Sequence, residues 1–260
     1  MGRVVSSLRV VVALLVVALP LAAACQAADR VVSLNLCTDQ WLVLLAPEKI
    51  AALSDLSRDP TLSFVAPEAA RYPQVRASAE AVLALHPDLV LAARYGAQTT
   101  VAQLALHGIP IGRLDLPEDF PGIARVTRDA AAVLGVPERA EALVAAMRAT
   151  LAAIEPPAHR TTAIAWEPRG YTASPASPMG AVMTAAGLTN AGTGQRLGTE
   201  ALLRHPPDIL IVPDTPAFPS LATDMLDSPV LRGIRRRALP PALTICAGPF
   251  TARAVTLLAQ

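Results

Sequence analysis

Lysine is almost missing from this 260-residue chain: Lys49 is the only one, and the rest of the basic charge is arginine. With 22 basic against 21 acidic residues, the net charge of +1 provides no field for nucleic acid or an anionic surface. Histidine is scarce too. His86, His107, His159 and His205 are scattered, with no clustered set to hold a bare metal ion, so no metal ligand is assigned. No G-x-S-x-G elbow occurs, and no histidine stands where a Ser-His-acid triad needs it. That argues against an exported hydrolase; no catalytic residue is assigned, and the chain reads as a binding protein, not an enzyme. Aromatic residues make up only 3%. After the first 28 residues, no apolar run reaches the roughly 20 residues that a membrane span requires.

What is present begins with an export signal over residues 1–28. Arg3 and Arg9 precede an apolar run from Val10 to Leu19, and small residues follow. Cleavage after Ala27 or Ala28 delivers the chain to the periplasm; the alternative, cleavage before Cys25 in "LAAAC", leaves a lipidated N-terminus. Either way Cys37 and Cys246 remain, an even pair in an oxidising compartment. A disulfide between them is the expectation, with two unpaired thiols or a soft-metal pair as alternatives.

The mature chain alternates aliphatic runs with helical stretches. "RVVSL" reads as a strand, followed by a helix over "DQWLVLLA" with Thr38 as its N-cap and Trp41 in the core. "KIAALS", "LVLA" and "IPIGRLDL" are further strands, separated by helices over "SAEAVLAL" and "TTVAQLALHG". Between Pro117 and Glu155 no strand signal occurs, and "VPERAEALVAAMRATLAAIE" reads as one long helix. Alternation then resumes with "TTAIAW", "SPMGAVMTAAG", "GTEALLRHPPDILIV", a strand over "PALTIC" and a helix over "TARAVTLLAQ". The expected fold is α/β: two lobes with mainly parallel sheets flanked by helices, joined by a single long backbone helix. The N-terminal lobe spans 29–116, the linker with its helix 117–158 and the C-terminal lobe 159–260.

One short phrase occurs twice. "SAEAVLALHPDLVLA" from Ser78 is matched by "GTEALLRHPPDILIV" from Gly198, with Glu, Ala, Leu, Pro and Asp identical in an ungapped alignment. Each is a helix, a stop and a strand at the same place in its lobe's element order, which makes it a structural repeat.

Together, "RVVSLNLCTDQ", the two repeated units, the long helix and the export signal resemble the periplasmic substrate-binding proteins for ferric siderophores and cobalamin. The resemblance covers the whole mature chain. It implies a monomeric receptor that holds a metal chelate between its lobes, with no covalent cofactor, and hands it to an ABC importer permease in the inner membrane. It also implies that Glu80 and Glu200, one per lobe, meet permease arginines. A carboxylate in a first helical turn also simply complements the helix dipole.

In open α/β sheets ligands bind beyond the carboxyl ends of the strands. That rule, with the resemblance, selects Asn35, Thr38, Arg58, Arg94, Tyr95, Trp166, Arg169, Tyr171, Arg196, Phe250 and Arg253. The arginines suit two-point contacts with ligand oxygens and the aromatics suit flat walls. Low aromatic content and several arginines favour an anionic iron(III)-siderophore, with cobalamin or another corrinoid and haem as alternatives.

Overall fold

Short aliphatic strands buried on both faces set the architecture, as parallel sheets require. The computed structural model describes residues 28–155, 159, 161–214 and 228–260. The export signal, apart from Ala28, lies outside the described residues, as do Cys25, Pro156 and Pro157. The first lobe runs β1 (Val31–Ser33), α1 (Leu36–Leu45), β2 (Ile50–Ser54), α2 (Ala66–Ala69), β3 (Gln74–Val75), α3 (Ala79–Leu83), β4 (Leu89–Ala93), α4 (Gln98–Leu106) and β5 (Ile111–Leu114). Its five parallel strands are ordered β3-β2-β1-β4-β5. Two helices follow, α5 (Phe120–Leu134) and α6 (Pro137–Ala152). The second lobe holds β6 (Thr161–Ala165), α7 (Pro178–Ala185), β7 (Leu188–Asn190), α8 (Thr199–Arg204), β8 (Ile209–Pro213), β9 (Arg235–Leu239) and α9 (Ala252–Ala259). Its four parallel strands are ordered β7-β6-β8-β9.

Three local expectations are corrected. The cap of α1 is Asn35, not Thr38: the Asn35 side chain accepts from the amides of Cys37 and Thr38, both at 3.0 Å. The 117–155 stretch holds two helices where one was expected. Pro121 and Gly122 look like breakers, but proline is tolerated in a first turn. The Asp119 carboxylate accepts the Gly122 amide at 2.7 Å, and α5 ends at Gly135 with φ +71. Finally, "PALTIC" is not a strand. Pro241–Leu243 form a 3-10 turn, since Pro240 and Pro241 have no N–H to give a ladder. The pairing with β8 is made instead by the polar "RRRAL" of β9, a charged edge strand.

The repeated units do the same work in both lobes. Asp88 accepts the backbone amides of Asp29 and Arg30, at 2.8 and 3.0 Å, just ahead of β1. Asp208 accepts the amide and hydroxyl of Thr162 in β6, both at 2.7 Å, and its own amide donates to the Thr162 hydroxyl. Each Pro-Asp therefore ties the turn before one central strand to the start of its neighbour.

The lobes are joined in more than one way. About 24 Å long at 1.5 Å per residue, α6 buries Ala140, Val144 and Met147 in the core of the first lobe. That same core takes in Ala247 and Ala252 from the chain's end. Cys37 and Cys246 form a disulfide with a Cα–Cα distance of 5.1 Å, tying the first turn of α1 to the segment after β9. Phe64 stacks on Phe250 with centroids 4.4 Å apart.

Candidate functional site

Strand order locates the crevice. In the first sheet the chain moves outward from β1 to β2 and β3, then returns to β4 and β5 on the other side. In the second it goes from β6 to β7 and returns to β8 and β9. The switch points lie between β1 and β4 and between β6 and β8, and loops at the carboxyl ends there form the binding crevice in this class of sheet.

Three cavities occupy that region. The largest, about 690 Å³, is lined by Arg94 and Tyr95 after β4, Asp115 to Asp119 after β5, Gly122 and Arg125 of α5, Pro178 of α7, and Ile245 and Ala247. Residues from both lobes face it. A second, about 530 Å³, lies over the first switch point and includes Asn35, Cys37, Asp55, Leu56 and Gly96. It shares Tyr95 and Leu116 with the first. A third, about 340 Å³, lies over the second switch point with Trp166, Glu167, Met179 and Pro213, reaches Thr61 and Leu62 of the first lobe, and shares Ile245 with the largest. The three form one inter-lobe cleft.

The sequence-selected residues distribute unevenly around it. Asn35, Tyr95, Arg94 and Trp166 line the cleft. Tyr95, 72% exposed, precedes Gly96 and Ala97, both at positive φ, so the backbone turns sharply and leaves the ring projecting. Arg94 is already paired, its Nε 2.6 Å from the Asp115 carboxylate. Trp166 is 1% exposed, and its indole N–H has no partner among the described residues.

Thr38 does not face the cleft. It is 1% exposed, and its hydroxyl lies 2.7 Å from that of Ser33 and donates to the Asn35 carbonyl. Phe250 is buried against Phe64, while Arg253 lies over the Phe64 ring at 4.8 Å and lines a separate cavity. Both belong to the joint between the lobes. Arg58 donates to the Tyr72 carbonyl. Arg169, Tyr171 and Arg196 gather on one loop surface: Arg196 donates to the Arg169 carbonyl at 3.1 Å and lies over the Tyr171 ring at 5.9 Å. Neither Arg58 nor that group lines any of the three cavities.

Asp115, Glu118, Arg125, Leu116 and Ile245 line the cleft and were not selected from the sequence. The acidic run "DLPED" directly follows β5, so the carboxyl-end rule would have found it if applied to the strand beside the switch point. Ile245 carried no such signal, because its segment reads as a strand interior. Under the first lobe's loops lies Asp39, which accepts the Ser54 amide at 3.0 Å and the Ser54 hydroxyl. Burial pushes its carboxyl up to about 6, against the opposing pull of its hydrogen bonds. It braces α1 against β2 from below the cleft.

Glu80 and Glu200 are exposed in the first turns of α3 and α8, and neither carboxylate has a partner among the described residues. Among those residues no group of three or more His, Cys, Asp or Glu could hold a metal ion, and no helix is long and apolar enough to cross a membrane.

The sequence profile of the family described as periplasmic binding protein matches residues 31–235. A cobalamin-binding protein of Halobacterium salinarum is 30% identical over 146 residues, which cover 51% of this chain. The match takes in 39% of that relative's length, so the chain spans well under half of the curated relatives it matches. Among solved structures, the apo periplasmic heme-binding protein of Roseiflexus sp. RS-1 is 24% identical, with a TM-score of 0.72 over 89% of this chain and 98% of that one. The structure from Saccharomonospora viridis DSM 43017 described as an ABC-type Fe3+-hydroxamate transport system is 19% identical, with a TM-score of 0.64 over 89% and 92%. At such identities these likenesses speak for the fold.

Proposed function

The chain belongs to the periplasmic binding protein family, a family of transport binding proteins, and from that premise we propose that it is the substrate-binding component of an ABC importer for a metal chelate. The observation that carries this reading is the single cleft formed where the switch points of two parallel sheets face each other. Its combined volume matches a bulky ligand more than a bare ion. An iron(III)-siderophore is the first reading of the cargo. A corrinoid is the second, favoured by the cobalamin-binding relative. Tyr95, exposed on the cleft wall, offers a flat surface to either. Haem is the third reading: no histidine lines the cleft, but the exposed Tyr95 does, and a tyrosine oxygen can serve as an axial ligand.

Delivery is assigned to Glu80 and Glu200, which stand unpaired and exposed at equivalent places on the two lobes and would meet permease arginines. The protein works as an exported monomer. A thermal-shift panel of ferric hydroxamates, ferric catecholates, haem and cobalamins tests the cargo. A ligand at 100 times its Kd stabilises the native state by about 2.7 kcal/mol, so the cognate class stands out. A panel in which nothing moves the midpoint overturns the receptor reading. Glu80→Ala combined with Glu200→Ala should leave that shift intact while abolishing chelate uptake; undiminished uptake removes the docking assignment.

A further inference from the structure

We propose that the cleft selects chelates without net negative charge, so that among siderophores it takes neutral or cationic complexes such as ferric hydroxamates and excludes polyanionic catecholates. This rests on the receptor reading, and it reverses the anionic preference that the arginine count suggested. The cavities and the fold establish the site; the charge of its walls chooses the ligand class.

Two guanidiniums, Arg94 and Arg125, line the three cavities, against five carboxylates. Arg94 is spent on Asp115 at 2.6 Å. The Asp119 carboxylate accepts the Gly122 amide and has no cationic partner among the described residues. Glu118 beside it has no partner among the described residues, and Asp55 and Glu167 add one carboxylate each on the flanking cavities. Among the described residues Arg125 is therefore the one unpaired cation on these walls, facing several carboxylates. Of the other arginines that the sequence offered, Arg58 is held by the Tyr72 carbonyl, Arg196 by the Arg169 carbonyl and the Tyr171 ring, and Arg253 over Phe64, while Arg169 lies on a loop surface that lines none of the three cavities.

A concave wall with an excess of one sign concentrates its potential inside the cleft and repels ligands of the same sign. The Arg94–Asp115 pair is the point of control. It neutralises the guanidinium best placed, beside Tyr95, to receive a ligand oxygen. Removing the Asp115 charge returns that guanidinium to the cleft.

The test measures binding by intrinsic tryptophan quenching for four probes on the exported chain: ferrioxamine B (a monocation), dicyanocobinamide (neutral), ferric enterobactin (a trianion) and haem with its two propionates. The expected result is that the cation or the neutral probe binds on the order of tenfold or more tighter than either anion. Any affinity for the cation should weaken as salt rises from about 0.02 to about 0.5 M. Asp115→Asn should strengthen trianion binding several-fold, and Glu118→Gln should move it the same way. Tighter binding of an anion by the unmodified protein overturns the charge selection while leaving the receptor reading in place, as does an Asp115→Asn variant that folds normally and gains no affinity for the trianion. Failure of all four probes and of the wider chelate panel overturns the receptor reading itself.

Discussion

The two lobes are built on one unit and diverge where they meet the cleft. In both, a short helix stops at Pro-Asp, the aspartate grips the start of the neighbouring central strand, and an aliphatic strand follows. At the switch point the resemblance ends. The first lobe sets a polar network there: Ser33, Thr38, Asp39 and Ser54 are all buried, and Asp39 links α1 to β2. The second sets Trp166 at the equivalent place, packed in an apolar cluster with Ile164, Leu202, Leu210 and Leu231. The gripping end of each strand is fixed by the geometry of the sheet, whereas the end facing the cleft is free to suit a ligand. Repetition therefore marks scaffold, and asymmetry between the lobes marks the site.

The largest effect expected from this asymmetry is pH dependence confined to the first lobe's network. Asp39 titrates near 6 when folded and from 3.8 when unfolded, because burial penalises its charge. A raised folded value means that the native state holds the proton more tightly. Its contribution is fully present below about 3.8 and is lost as pH rises through about 6, a span worth about 3 kcal/mol. Urea unfolding of the apo protein across that window should show stability falling with pH on this account. Asp39→Asn should flatten the slope, since the amide never ionises. An unchanged slope in the variant would move the pH dependence to other groups.

The shared unit makes a smaller, symmetric prediction. Asp88→Ala and Asp208→Ala should each lower Tm by a few degrees without changing chelate affinity, because both grips lie at the strand ends away from the cleft. Hydrogen bonds from Thr162 hold the Asp208 carboxyl below the usual range. Its contribution is therefore present above the ordinary carboxylate value and is lost as pH falls through the lowered one, opposite in sign to Asp39. One variant unfolding the protein while the other is silent would break the equivalence of the lobes.

Much of this organisation was legible in the sequence. The strands β1, β2, β4, β5, β6 and β8 announce themselves because buried parallel strands are runs of aliphatic residues. The edge strand β9 does not: it reads "RRRAL" because its exposed side carries charge, so the adjoining "PALTIC" looked more like a strand than the strand itself. The cleft was legible as a place more than as a residue set. The carboxyl-end rule brought out Asn35, Arg94, Tyr95 and Trp166. Residue type alone could not show that Arg94 is neutralised by Asp115 or that Phe250 is buried against Phe64, because both facts depend on partners from other elements.

The finest contrast between the lobes is at the helix starts. Ser78 caps α3 by accepting the Ala81 amide at 3.3 Å, whereas Gly198 has no side chain to offer α8. There the Ala201 amide turns to the Gly198 carbonyl at 3.1 Å, adding an i to i+3 bond that tightens the first turn beside the helical one from Leu202 at 3.2 Å. Gly198 lies at φ −72 and ψ 152, an extended conformation that serine adopts freely, and a Cβ there meets nothing within 4 Å. Gly198→Ser should therefore stabilise by a few tenths of a kcal/mol, and Ser78→Gly should cost about as much. The two sites lie in separate lobes and share no partner, so the double exchange should come out near neutral in urea unfolding. A Gly198→Ser variant less stable than its parent would mean that the tightened turn is the better arrangement for α8, and that the lobes differ at the helix start as well as at the cleft.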